Sequence, residues 1–227
     1  MTAEHPARIR DAWGASHFQR SPTERLAGLP LTPDAAALLQ AIGLPTGPPA
    51  ALALYLRFEN VNIVHRPAEL RLLTSTNLEI GPAFPRTGRP ELDGWIDLRR
   101  FVVLGEVPND SDPFTRFVCV DGIRGNVWWV YPRLSDQCTD CYLHNTDLAA
   151  YLASLWAYRQ FREQFAKLLE QYADHDPEMP IEDPAYLAQA EIIHTQFLER
   201  LQAADPSGFK GGFWEEHAWN EHILLHS

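Results

Sequence analysis

The sequence has few cysteines and no long hydrophobic run, and these two shortages exclude several classes of protein. Three cysteines, an odd number in a chain of 227 residues, do not make a disulfide scaffold, so a reducing cytoplasm is the expected compartment. The longest apolar run, residues 50–56, is too short to span a bilayer. Residues 1–13 lack the apolar centre of a signal peptide. We therefore expect a cytoplasmic protein that does not contact a membrane.

The sequence also lacks the short motifs that mark common catalytic sites. It contains no Walker loop, no G-x-G-x-x-G turn and no G-x-S-x-G nucleophile elbow. His217, His222 and His226 lie close together near the C-terminus, but their spacing does not make the H-E-x-x-H motif of zinc proteases. We therefore predict no catalytic residue.

Length and composition fit a single globular domain. The hydrophobic share is 45% and the charged share is 22%, which are ordinary values. A core of this size can bury roughly 70% of the unfolded surface without a disulfide or a metal. We predict an N-terminal extension over residues 1–30 and one domain over residues 31–227.

The centre of the chain has the pattern of a β-hairpin. Two apolar runs, residues 117–120 and 127–131, are separated by Arg124-Gly125-Asn126, and glycine before asparagine suits a two-residue reversal. The second run is apolar at both its odd and its even positions, which predicts a central strand covered on both faces. We accordingly expect Trp128 and Trp129 to lie in the core.

A long amphipathic helix is predicted to follow, capped by Asn145 or Thr146. Its apolar residues recur at steps of three and four, and they are Leu148, Tyr151, Leu152, Leu155, Tyr158, Phe161, Phe165, Leu168, Leu169 and Tyr172. Thr32-Pro33 and Asp183-Pro184 predict two further helix starts. With strands expected at residues 52–58, 61–64 and 101–105, the fold class is α+β: a central, mostly antiparallel sheet with flanking N- and C-terminal helices.

Several segments of this pattern resemble the SUKH superfamily, whose fold is like that of a cell-wall regulator, and in particular its fourth subfamily of bacterial toxin-immunity proteins. The segments are Leu38-Leu39-Gln40-Ala41-Ile42-Gly43-Leu44-Pro45, Gly105-Glu106, Phe117-Val118-Cys119-Val120-Asp121, Gly125-Asn126-Val127-Trp128, Asn145-Thr146-Asp147-Leu148, and a C-terminal helix with Trp214 and Trp219. The resemblance implies an α+β domain that binds and neutralises a protein toxin. It implies neither an enzyme nor a cofactor, and it carries no catalytic residues to this chain.

The segment Cys138-Thr139-Asp140-Cys141-Tyr142-Leu143-His144 is the strongest chemical signal. Cys138, Cys141 and His144 could supply three zinc ligands, with Cys119 or a distant histidine as the fourth. Structural zinc sites usually have two such cysteine pairs, and this sequence has one. The other interpretation is a loop with two partly buried thiols. A small zinc enzyme or metal-binding domain is therefore an alternative to the immunity protein, and a regulatory scaffold is a third hypothesis.

Negative charge is concentrated in the last third of the chain. Residues 163–227 hold thirteen acidic and three basic side chains, a net of −10, out of −11 for the whole chain. This charge disfavours direct binding of nucleic acid and favours a basic protein partner, such as a nuclease toxin. The expected contact residues are Asp174, Asp176, Glu178, Glu182 and Asp183. The alternative is that this segment is a solvated linker between two helices.

Overall fold

The elements follow one another as helices, then strands, then helices. A computed structural model describes residues 5–45, 70–75, 83–86, 96–107, 116–133, 138–172, 183–210 and 214–215. The helices within these ranges are α1 (Pro6–Trp13), α2 (Thr23–Leu26), α3 (Pro33–Ala41), α4 (Leu148–Glu170), α5 (Pro184–Ala204) and α6 (Pro206–Phe209). The strands are β1 (Phe18–Gln19), β2 (Leu44–Pro45), β3 (Arg71–Leu72), β4 (Ala83–Arg86), β5 (Phe101–Val107), β6 (Arg116–Asp121), β7 (Val127–Arg133) and β8 (Cys138–Asn145). This arrangement confirms the predicted α+β class.

Six of these strands form one sheet, in the order β3-β5-β6-β7-β8-β4. Every pairing in it is antiparallel except the one between β4 and β8, which is parallel. Strands β1 and β2 pair with each other outside this sheet. The mostly antiparallel sheet is as predicted, and β5 covers the strand expected at residues 101–105.

Side chains of the central strands alternate between two apolar cores, one on each face of the sheet. In β7, Trp129 joins the core on the helix side, and Trp128 joins the core on the opposite side. Both tryptophans are buried, which confirms that β7 is covered on both faces. Burying a large side chain of this kind stabilises the fold by roughly 2–3 kcal/mol. Ile9 and Trp13 of α1 belong to the helix-side core, while the division at residue 30 stays a prediction.

The reversal between β6 and β7 is longer than the sequence predicted. The backbone N–H of Asp121 donates to the carbonyl oxygen of Asn126 at 2.8 Å, so residues 122–125 form the loop. The Asp121 carboxylate accepts from the backbone N–H of Ile123 at 2.9 Å and thereby stabilises this loop. Gly125 has a φ of +78°, so glycine does adopt the conformation expected of it. The predicted two-residue turn was wrong because this side-chain bond favours a four-residue loop.

Helix α4 is capped by Asp147, which is one residue after Thr146, the later of the two predicted caps. Asp147 Oδ1 accepts from the backbone N–H of Ala150 at 2.8 Å. Asn145 and Thr146, the predicted caps, both donate to Asp205 instead. The predicted apolar face is confirmed by its buried members, which are Leu148, Tyr151, Leu152, Leu155, Tyr158, Phe161, Phe165 and Leu168.

The other two predicted helix starts are confirmed. Thr32 Oγ1 accepts from the backbone N–H of Ala35 at 3.3 Å. Asp183 Oδ1 accepts from the backbone N–H groups of Ala185 at 2.7 Å and Tyr186 at 3.4 Å. A proline occupies the first turn of both helices. The N–H group that proline lacks would have no hydrogen-bond partner within the helix at that position.

One local prediction was wrong. Residues 138–144, interpreted as a loop, belong to strand β8, because buried polar side chains there hide the apolar alternation. The strands predicted at residues 52–58 and 61–64, and Trp219 of the expected C-terminal helix, lie outside the described residues.

Candidate functional site

Strand β8 places Cys141 and His144 on opposite faces of the sheet. They are three residues apart in an extended strand, so their side chains point in opposite directions. Cys141 lies in the core that contains Val130, whereas the His144 ring packs edge-on against Tyr151 of α4, with ring centroids 4.9 Å apart. One zinc ion therefore cannot bind both Cys141 and His144. Across the described ranges, no three side chains of His, Cys, Asp or Glu are grouped to hold a metal ion.

The described thiols, Cys119 and Cys141, are buried in the core away from the helices. Burial, with a smaller effect of Asp140, raises the pKa of Cys141 to about 12. Burial, with a smaller effect of Cys141, raises the pKa of Cys119 well above its usual value. Both groups therefore stay protonated at neutral pH, whereas the thiolate is the form that attacks or binds metals. They act as small apolar side chains.

A buried polar cluster joins the end of β8 to the end of α5. At its centre is Asp205, which is 2% exposed. Asp205 Oδ2 accepts from the backbone N–H of Thr146 at 2.7 Å and from the Asn145 amide at 3.2 Å. Its Oδ1 accepts from the Thr146 hydroxyl at 2.9 Å and from the backbone N–H of Gly208 at 2.8 Å. One carboxylate thus holds the turn before α4 and the first turn of α6.

Asn145 extends this cluster to the C-terminal segment. Its amide nitrogen also donates to Ser154 Oγ at 3.0 Å, and its Oδ1 accepts from Trp214 Nε1 at 3.1 Å. His144 Nδ1 lies 2.8 Å from the same Oδ1. Asn145, His144 and Ser154 are completely buried, so a substrate in solvent has no access to them. The cluster fixes α5 and α6 against the sheet and does not form an exposed reactive site.

The partner-binding residues predicted from charge lie mostly beyond the described ranges. Asp174, Asp176, Glu178 and Glu182 are outside them. Asp183 is exposed and caps α5. It is therefore the member of the predicted contact set that directly precedes a packed helix.

Helix α5 is fixed along its inner side by aromatic packing. Phe197 stacks on Phe161 of α4, with ring centroids 4.6 Å apart. Tyr186, near the start of α5, packs at 6.4 Å from the Phe165 ring. Burial, and to a smaller extent the neighbouring Tyr172, raises the pKa of Tyr186, so its hydroxyl stays neutral at physiological pH. The side of α5 that faces away from α4 is exposed.

None of the helices in the described ranges is both long enough and apolar enough to cross a bilayer. The family model described as "SUKH-4 immunity protein" matches residues 5–224, a range that includes every helix and strand given above. No curated protein and no solved structure matches the chain. The family match confirms the resemblance found in the sequence, and it gives the chain an immunity role with a protein toxin as partner. The chain belongs to the SUKH-4 immunity protein family.

Proposed function

We propose that this protein binds a cognate toxin of a bacterial polymorphic toxin system in the cytoplasm and neutralises it by covering its active surface. The observation that carries this proposal is the family match over residues 5–224. Neutralisation by binding needs a stable surface and no reaction by the immunity protein itself, so we propose that the chain has no catalytic activity.

The chemistry of the described residues supports action by binding. Cys119 and Cys141 are buried, and their raised pKa values keep them as thiols. The cluster around Asp205 is buried, and its carboxylate accepts from the Asn145 amide and from the backbone N–H groups of Thr146 and Gly208. These ionisable or nucleophilic groups are therefore used to stabilise the fold, which leaves the exposed surfaces for recognition.

Charge supports a basic toxin, such as a nuclease. Residues 163–227 carry a net charge of −10, and a surface of that sign accelerates its association with a positively charged partner. A nuclease holds the phosphates of its substrate in a basic groove, and carboxylates can take the place of those phosphates. We propose that Asp174, Asp176, Glu178, Glu182 and Asp183 contact this groove.

The packing of α5 supports the location of this contact. Asp183 caps one end of the helix and Asp205 follows the other end, so the helix next to the acidic segment has a fixed position in the fold. A binding surface that is already ordered loses less conformational entropy when the partner docks.

The test is a titration of the toxin domain encoded by the gene that adjoins this one. Its activity is measured while the purified immunity protein is added, and a toxin domain of a different system serves as the control. We expect activity to fall to zero at one equivalent, with a complex of one copy of each chain on gel filtration. Full toxin activity at a tenfold excess would contradict the proposal.

A further inference from the structure

The outer face of helix α5 carries little charge along its whole length. Residues within about 60° of Ile192 around the helix axis form a stripe of eight, which we call the outer stripe. Its members are Ala185, Ala188, Gln189, Ile192, Thr195, Gln196, Glu199 and Ala203. Glu199 is the one charged residue among the eight. All of them are exposed except Ala203, which is half-buried.

The centre of the outer stripe is a large hydrophobic side chain in solvent. Ile192 is 57% exposed, and in the described ranges the other large hydrophobic with comparable exposure is Ile123, at 66%. Helix α5 already has a buried inner face that includes Phe197 and Leu201. A helix on a protein surface normally has polar and charged residues opposite such a face. The outer stripe of α5 has polar members, but its single charge and the exposed isoleucine at its centre depart from this pattern.

The exposed charged residues of α5 are acidic. Glu199 lies within the outer stripe and Glu191 lies about 100° from Ile192 around the helix axis, and both are exposed. Arg200, the single lysine or arginine of α5, lies about 80° from Ile192 on the other side and is half-buried. A surface that fits this face has an apolar centre and a basic border. An acidic protein face of this kind would repel nucleic acid and an anionic membrane, so charge complementarity selects a basic protein.

We propose that the outer stripe of α5 is the apolar centre of the interface with the toxin, and that the acidic residues around it form the polar rim. This inference rests on the proposed function and adds the surface that is buried in the complex. Interfaces of this type place apolar contacts in the middle and polar groups at the edge. Ile192 is the central contact, and the toxin surface opposite it is an apolar groove bordered by lysine or arginine.

The outer stripe alone is smaller than a complete interface. The stripe extends over about 27 Å of helix and is about 10 Å wide, which gives an area of roughly 270 Å². A stable interface buries about 800 Å² on each partner. The outer stripe therefore supplies about a third of the area that the interface needs on this chain, and the exposed surface around the stripe supplies the rest.

The test compares Ile192→Lys with Ile123→Lys, measuring the Kd of each variant for the toxin domain encoded by the adjoining gene. Both substitutions replace an exposed isoleucine with the same cation. They therefore change the net charge and the exposed apolar area in the same way. Lysine is a good helix former, so we expect Ile192→Lys to fold, and thermal unfolding of both variants verifies this.

We expect Ile192→Lys to raise the Kd at least about tenfold, as loss of a central contact does, and Ile123→Lys to leave it within about twofold. Equal Kd values for Ile192→Lys and the unsubstituted protein would overturn the inference and leave the proposed function standing. A toxin that binds none of the three proteins would overturn both. A tenfold loss in Ile123→Lys alone would place the interface at the β6–β7 loop and also overturn the inference.

Discussion

Asn145 and Asp205 lie sixty residues apart in the chain, and the Asn145 amide donates to Asp205 Oδ2 across 3.2 Å. The bond joins the last residue of β8 to the residue that follows α5. Because Asp205 also accepts from Thr146 and Gly208, a single carboxylate sets the position of α5 relative to the sheet. The proposed binding surface on α5 therefore depends on a buried group that the toxin does not touch.

Replacing Asp205 with alanine is expected to lower the free energy of unfolding by about 3–5 kcal/mol. The substitution leaves buried donors of Asn145, Thr146 and Gly208 without their acceptor, which is more costly than the loss of an exposed bond. Urea denaturation at neutral pH measures the effect. Asp147→Ala is the control, since it removes an ordinary helix cap and is expected to cost about 1 kcal/mol. Equal losses in the two variants would contradict the central role of Asp205.

Two glycines with almost the same backbone conformation should respond differently to alanine. Gly28 has a φ of +88° and Gly43 a φ of +86°, a region that costs a residue with a Cβ about 1–2 kcal/mol. A Cβ on Gly28 meets no atom within 4 Å, whereas one on Gly43 would overlap the carbonyl oxygen of Gln19. We therefore expect Gly28→Ala to lower the free energy of unfolding by the conformational cost alone. We expect Gly43→Ala to lower it by about 1–3 kcal/mol more. Thermal unfolding of the pair provides the measurement, and similar melting temperatures would contradict the prediction.

Stability should decline at alkaline pH because of Cys141. Its pKa is about 12 in the folded protein, compared with a usual value of 9.0. The unfolded chain therefore loses this proton first as the pH rises. The contribution of Cys141 is complete below pH 9 and is lost as the pH approaches 12, by about 1.4 kcal/mol per pH unit. We expect Cys141→Ala to show a shallower decline between about pH 9.5 and 11. An unchanged slope in urea denaturation would contradict this account.

Reversing charge in the acidic segment should slow association with the toxin. The variant Asp174→Lys/Asp176→Lys/Glu178→Lys is expected to lower the association rate constant at least about tenfold at low salt, and less at high salt, because steering is screened. The control reverses Asp11, Glu24 and Asp34, which are exposed in the N-terminal part, and so makes the same change in net charge. Stopped-flow mixing measures both. Equal association rate constants for the two triple variants would contradict the proposed location of the contact, because the position of the charge would then have no effect.

Much of the fold could be predicted because its signals are local. The caps at Thr32 and Asp183 bond to groups two or three residues away, and the apolar face of α4 depends only on helical spacing. The two runs on either side of Gly125 contain the β-branched and aromatic residues that strands favour. In each case the sequence itself contains both interaction partners within a few residues.

The parts that could not be predicted depend on distant residues. Asn145, Thr146 and Asp147 are all suitable helix caps, and the choice among them is made by Asp205, which engages the first two. Strand β8 was not predicted because His144 and Asn145 are completely buried although they are polar, so the sequence does not show the apolar pattern of a buried strand. The outer stripe of α5 was not predicted, because helical spacing identifies the apolar inner face of a helix and not what contacts its outer face.

The most direct test of the account is the growth of cells that express the toxin encoded by the adjoining gene. This immunity protein is expressed in the same cells, either unchanged or as Ile192→Lys. The account predicts normal growth with the unchanged protein and toxicity with the variant at equal protein levels. Cells that die at the same rate with and without the unchanged protein would contradict it.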